Sequence, residues 1–289
     1  MTETTHMRNE ILEIPDAAAR LLDASDGALA AAGRQLRELS PRYLTTVARG
    51  SSDHAASFMK YAVELTAGVP VASVGPSLAS IYGARLRLAG AERSVAATKT
   101  FVNSAVAGMA LMAHCTDDAA LLAALADLPA RFREAIDCDW MELAAALGGA
   151  GSLFILGRGP SLAIANEAAL KFKETCAMHA EAYSAAEVMH GPLALVGPGF
   201  PILALAARDA SEPSMAEAAD ALVGKGATVF ATTALARAAH RLPFAPTGHP
   251  LTDPLPLIVS FYAFVEAFAR HRGLNPDQPP NLRKVTETI

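Results

Sequence analysis

Between Arg158 and Pro192 the chain holds a lysine, carboxylates and an imidazole in close succession: Asn166-Glu167-Ala-Ala-Leu-Lys171-Phe-Lys173-Glu174, then Ser184-Ala-Ala-Glu187-Val-Met-His190-Gly191-Pro192. A lysine, a carboxylate and an imidazole are the groups needed to open a sugar ring and to carry a proton between carbons beside a carbonyl. Lys171 and Glu174 stand three apart and share one face if the segment is helical. A Lys-Glu pair at that spacing is more often a solvated face, and a histidine before glycine is more often a cap. The setting argues for chemistry instead. Ala and Leu dominate the neighbours, so the charges belong to an apolar wall, where a carboxylate has its pKa raised towards the range of a working base.

The elements that must hold these groups follow from composition. Ala, Leu, Glu, Lys and Phe run over about 161–178 without Pro or Gly, which predicts a helix with Ser161 as its N-cap. Ser184 and Glu187 have capping-box spacing and predict a short second helix that Gly191 and Pro192 stop. His190 then falls in its last turn, where the negative end of the dipole favours a protonated imidazole.

The rest of the chain reads as support. An N-terminal helix from Met7-Arg-Asn-Glu-Ile11 is expected to break at Pro15 and to continue through Leu39. Residues 43–48 read as a strand, Arg49-Gly50-Ser51-Ser52 as a turn, 53–66 as a helix ended by Gly68, and 69–74 as a second strand. Strand, turn, helix, strand is a βαβ unit and implies a parallel sheet.

The same text recurs 109 positions later, where Arg158-Gly159-Pro160-Ser161 follows a strand at 152–156. Such a turn collects backbone N–H groups and hydroxyls at a helix N-terminus, where an anion is attracted. Ser51 and Ser52 are free to donate, whereas Pro160 stands at the matching place in the second copy. A phosphate site at Gly50, Ser51 and Ser52 therefore belongs to the first half. A Gly-Ser turn alone is a weak signal, since such turns also serve sharp connections.

The second half continues with strands at 200–206 and 227–232, a helix at 213–223, a β-like stretch at 241–244, an apolar helix at 253–270 and a proline-rich extended tail from Gly273. It spends 60 residues between Pro192 and Thr252, where the first half passes from Gly83 to Ser94 in 11. Either two strands are lost or a stretch near Gly90-Ala91 is absent from the sequence. The second is preferred, because deleting central strands of a parallel sheet strips both helix layers of support.

The 289 residues are 52% hydrophobic and 18% charged, enough for one large core or two smaller ones. A net charge of −5 without a basic run argues against nucleic acid. The lack of an eighteen-residue apolar run or a signal-peptide pattern predicts a cytoplasmic protein away from membranes. Cys115, Cys138 and Cys176 read as buried thiols, and no metal-ligand spacing occurs.

These residues resemble the double-SIS (sugar isomerase) family, most closely the isomerase half of glucosamine-6-phosphate synthase and its stand-alone deaminase relatives. Three segments carry the likeness: Glu167-Ala-Ala-Leu-Lys171-Phe-Lys-Glu174 through His179-Ala-Glu181-Ala-Tyr183 to His190-Gly-Pro-Leu; Glu92-Arg-Ser-Val95-Ala-Ala-Thr98-Lys99; and Asp277-Gln278-Pro-Pro-Asn281-Leu-Arg-Lys284. The resemblance implies an α/β protein of two SIS domains, each a flavodoxin-like parallel sheet sandwiched by helices. They would occupy 1–146, shortened near 90–91, and 147–289, which includes an active-site tail.

It further implies a homodimer with shared active sites, a sugar-phosphate substrate and no cofactor. Glu174 would be the base that shuttles a proton between C1 and C2, and His190 the ring opener, often delivered by the neighbouring subunit. Lys171 and Lys284 would offset enediolate charge, Val95 would offer backbone to the sugar, and Ser51 and Ser52 would form part of the phosphate cradle. The family's second cradle loop, S-x-S-G-x-[ST], does not occur between Val74 and Ser94. The synthase also needs a glutaminase domain with an N-terminal cysteine, and here no cysteine precedes Cys115. The expected reaction is therefore conversion of glucosamine 6-phosphate to fructose 6-phosphate and ammonia. Alternatives are plain phosphosugar isomerisation, a fructosamine-phosphate deglycase, or a sugar-phosphate-sensing module, though such modules usually lack the base.

Overall fold

The computed structural model describes residues 4–74 and 97–282. Val95, Lys284 and the shortening at Gly90-Ala91 lie outside the described residues. Helix α1 (His6–Leu39) begins at Thr5, whose hydroxyl accepts a hydrogen bond from the Arg8 N–H. Contrary to the expected break, it runs through Pro15. A proline inside a helix costs about 3 kcal/mol, but here Ile11, Ile14, Pro15, Ala17 and Ala18 are buried and packing holds the turn.

Strand β1 (Leu44–Val47), helix α2 (Ser51–Ala67) and strand β2 (Val71–Val74) form the first βαβ unit, with Leu44 paired to Val71 in parallel register. Helices α3 (Lys99–Thr116), α4 (Ala119–Ile136) and α5 (Met141–Leu147) lead to the second half. There β3 (Ser152–Gly157), α6 (Pro160–Cys176), β4 (His179–Ser184), β5 (Pro201–Ala204), α7 (Glu212–Val223), β6 (Thr228–Ala231), β7 (His240–Arg241) and α8 (Pro254–His271) follow in order. The strands pair throughout in parallel as β4-β3-β5-β6-β7. Numbered within this half, that is the flavodoxin-like order 2-1-3-4-5. The first-half sheet has two strands among the described residues, β2 beside β1, which is how the same order starts.

The internal repeat extends to backbone conformation. Gly50 (φ 56°, ψ −137°) and Gly159 (φ 57°, ψ −137°) each end a strand-to-helix turn, and each precedes a 17-residue helix. A positive φ of this kind is open to glycine at little cost. Gly159 rather than the expected Ser161 is the N-cap of α6, with Pro160 as its first residue.

The expected capping box and short helix after Ser184 are also replaced. Ser184 closes β4 by pairing with Gly157, so it is not free to start a helix. Two 3₁₀ turns, Glu187–Met189 and Gly191–Leu195, follow instead, and His190 sits between them.

One apolar core runs through both halves, joining Met7, Phe58 and Phe101 to Phe172, Tyr262 and Phe268. The Phe101 ring meets Tyr262 edge-on at 6.5 Å. A second cluster of Phe154, Ile202, Leu222 and Val229 lies between the larger sheet and α7. Cys115 and Cys176 are buried, Cys138 is half-buried, and all three are free thiols. Among the described residues, no helix is long and apolar enough to cross a membrane.

Candidate active site

Helix α6 carries Glu167, Lys171 and Glu174 at i, i+4 and i+7, which stacks them on one face. That face meets the start of α2. Gly157 permits the closeness of β3 and α6: a Cβ there would lie 2.3 Å from the carbonyl oxygen of Ser161. The turn at Gly50 places Ser51 at the first position of α2 and His54 three residues on, so both look the same way.

The result is a hydrogen-bonded chain between the two halves. Lys171 Nζ donates to Ser51 Oγ at 2.9 Å and to Glu174 Oε2 at 2.7 Å, and it lies 3.1 Å from Glu167 Oε1. Three acceptors match its three N–H bonds. Glu167 Oε2 is 2.7 Å from His54 Nδ1, and Tyr262 of α8 donates its hydroxyl to Glu167 Oε1 at 2.9 Å. The side chains of Lys171 and Glu167 are fully buried, whereas Glu174 keeps 20% of its side chain exposed. Glu174 is thus the carboxylate of this cluster that a bound molecule can reach.

Burial opposes ionisation of both inner groups. For Glu167, burial pushes the pKa up, but the charge of Lys171 and the bonds from His54 and Tyr262 outweigh it and hold the carboxyl below its ordinary range. For Lys171, burial pulls the pKa down, but Glu167 and Glu174 outweigh it and hold the ammonium above its ordinary value. A lysine cation fixed between two carboxylates in an apolar wall is the outcome.

Of the residues singled out from sequence, the fold brings Ser51, Lys171 and Glu174 into direct contact. Gly50 supplies the turn, and Ser52 is exposed beside it. Lys171 accepts no bystander role: its ammonium is enclosed, so it reaches outward only through Glu174 and Ser51. Because Lys171 occupies a lone pair of Ser51, the serine O–H remains to donate elsewhere. Asp53 adds a carboxylate to the first turn of α2, 3.5 Å from Ser73 Oγ. His190 is exposed, and among the described residues its imidazole makes no hydrogen bond or ion pair with Glu174 or Lys171. Val95 and Lys284 lie outside the described residues.

Sequence reading missed His54, Glu167 and Tyr262 as members of the cluster. Glu167 was signalled by standing four before Lys171. His54 and Tyr262 are 113 and 95 positions from Glu167, and no local spacing ties them to it. Among the described residues no group of three or more His, Cys, Asp or Glu converges as metal ligands.

Comparison with known proteins bears on this geometry. Residues 146–259 match the SIS domain model. The chain is 39% identical over 214 residues to the glutamine–fructose-6-phosphate aminotransferase (isomerizing) of Aeropyrum pernix, over 68% of this chain and 34% of that protein. It spans about a third of the length of such curated relatives. A phosphosugar isomerase candidate from Silicibacter pomeroyi DSS-3 is 48% identical, with a TM-score of 0.89, over 95% of this chain and all of that one. The glucosamine-6-phosphate deaminase of Thermotoga maritima shares the fold, with a TM-score of 0.71 at 16% identity over 97% of this chain and 99% of that one.

Proposed function

Since the chain belongs to the SIS (sugar isomerase) family, we propose that it is a phosphosugar isomerase whose substrate is glucosamine 6-phosphate, released as fructose 6-phosphate and ammonia. The observation that carries this reading is the Ser51–Lys171–Glu174 contact. It joins a helix N-terminus suited to an anion, a buried cation and a reachable carboxylate within hydrogen-bond distances.

In the proposed reaction the phosphate lies at the start of α2, where Ser51 and Ser52 and the open N–H groups face it. His190 moves a proton from the C1 hydroxyl to the ring oxygen, which opens the sugar. In this reading His190 is delivered by the partner of a homodimer. Glu174 then takes the C2 proton and returns it to C1 while a proton passes from the amine nitrogen to O1, so that the C1 aldehyde becomes an alcohol and the C2 amine an imine. Water adds to the imine carbon, and ammonia leaves. Lys171 holds the carboxylate in place through both transfers, while Lys284 and the Val95 backbone complete the sugar site. The chain is read as two SIS units, 1–146 and 147–289, which meet at α2 and α6.

Purified protein given glucosamine 6-phosphate is expected to release ammonia and fructose 6-phosphate in equal amounts. Absence of ammonia, with interconversion of glucose 6-phosphate and fructose 6-phosphate intact, overturns the deaminating reading. It would favour plain isomerisation, the reading to which the likeness to the Silicibacter protein lends weight.

A further inference from the structure

Two of the charged groups in the cluster, Glu167 and Lys171, have no exposed surface to work through, yet they complete an unbroken line from His54 to Glu174. His54 belongs to the first half and keeps 21% of its side chain exposed, so its protonation is open to solvent. Its Nδ1 is 2.7 Å from Glu167, a carboxylate with no exposure; Glu167 is 3.1 Å from Lys171, and Lys171 is 2.7 Å from Glu174. Each link joins groups able to carry charge. In a water-free interior such charges interact far more strongly than at the surface.

We propose that His54 is a positioning residue for Glu174: it fixes Glu167, and through Glu167 and Lys171 its own charge sets how readily the exposed carboxylate takes a proton. The proposal rests on the reading of Glu174 as the base but concerns a residue outside that reading. Among the described residues, the imidazole's ion pair is with Glu167. On α6 it faces Glu167, with Lys171 behind; from α8 only Tyr262 approaches, on the far oxygen of Glu167. On α3, Lys99 is paired with Glu13 and His114 with Asp26. On α2 itself Lys60 is paired with Glu64, and Asp53 lies by Ser73.

The sign of the coupling follows from the charges. When His54 is protonated, the cluster of one lysine and two carboxylates gains a second cation and becomes neutral overall, which favours ionised Glu174. Removing the Glu174 charge leaves Lys171 wholly to Glu167, so the imidazole loses part of what holds its proton. The two effects are reciprocal.

Two measurements test this. In the first, the imidazole of His54 is followed by NMR through a pH titration in the unaltered chain and in Glu174→Gln. Its midpoint is expected to fall by about 0.3 pH unit or more in the variant, although Glu174 does not touch His54. An unchanged midpoint overturns the coupling whatever the protein's activity.

In the second, His54→Gln is assayed across pH. The acid limb of the kcat/KM profile is expected to move to higher pH by a similar amount, because Glu174 has lost a neighbouring cation. A lower kcat with the limb unmoved marks a merely structural role and overturns the proposal. If the unaltered chain acts on no phosphosugar, the functional reading fails and the NMR arm alone decides. The same arm decides if His54→Gln does not fold, since it does not use that variant.

Discussion

Replacing Lys171 by methionine tests whether the buried cation holds the cluster together. Methionine keeps most of the apolar stem, so the change removes charge rather than volume. It leaves Glu167 and Glu174 facing each other without the ammonium that now stands 3.1 Å and 2.7 Å from them. Orphaning one partner of a buried ion pair costs about 3–5 kcal/mol; here Glu167 loses its cation but keeps the bonds from His54 and Tyr262, and Glu174 keeps part of its surface in solvent. Protonation of one of them limits the penalty, so a loss of about 4 kcal/mol at neutral pH is expected.

Urea unfolding at pH 7 measures this loss, and unfolding at pH 5 should show a smaller one, because a carboxyl is then more readily neutralised. Adding Glu167→Gln should recover about half of the loss by removing the buried charge that has lost its lysine. If Lys171→Met costs less than about 1 kcal/mol and shows no pH dependence, the cluster is not the electrostatic unit described here.

Three further outcomes follow from the same geometry. Gly157→Ala drives a Cβ into the Ser161 and Leu162 backbone; α6 must shift, and a loss of about 3 kcal/mol with greatly reduced activity is expected, against the near-neutral melt that open space would give. The Asp277 carboxylate accepts from the N–H groups of His6 and Met7 at 2.6 and 2.8 Å; Asp277→Ala should cost about 1 kcal/mol, read as a melting temperature lower by about 2 °C, and an unchanged melt would contradict this capping. The pH dependence of stability has two limits: the lowered Glu167 contributes above the ordinary carboxylate range and is lost as pH falls through its folded value, while the raised Lys171 contributes below the ordinary lysine value and is lost as pH rises through its own. Thermal melts should therefore be flat over roughly pH 6–9 and fall on either side; a maximum below pH 5 would contradict it.

What the chain made legible was whatever depends on near neighbours. The Lys171–Glu174 pair is local, and so is the glycine turn that recurs at Gly50 and Gly159. Even the parallel sheet follows from the order of strand, turn and helix. The failures have a common origin in distant contacts. Pro15 reads as a break because its own peptide forbids a bond, yet α1 survives since its buried face is clamped by α3 and α4. Ser184 and Glu187 read as a capping box because four residues contain no notice that Ser184 is already paired with Gly157. His54 reads as an ordinary helix residue because Glu167 is 113 positions away. Strand β4 was readable in the alternation of His179-Ala-Glu-Ala-Tyr-Ser, a period of two, and only its helical surroundings hid it.

The two glycine turns share one backbone and differ in the residue that follows. Pro160 offers neither a hydroxyl nor an N–H at the start of α6. Ser51 offers both at the start of α2. Lys171 lies eleven residues beyond Pro160 on α6, about 16 Å along the helix axis, and its bond is to the turn of the other half, 120 positions away. The same crossing puts His54 on Glu167. The charged groups on α6 are therefore held by side chains of other helices, Ser51 and His54 of α2 and Tyr262 of α8.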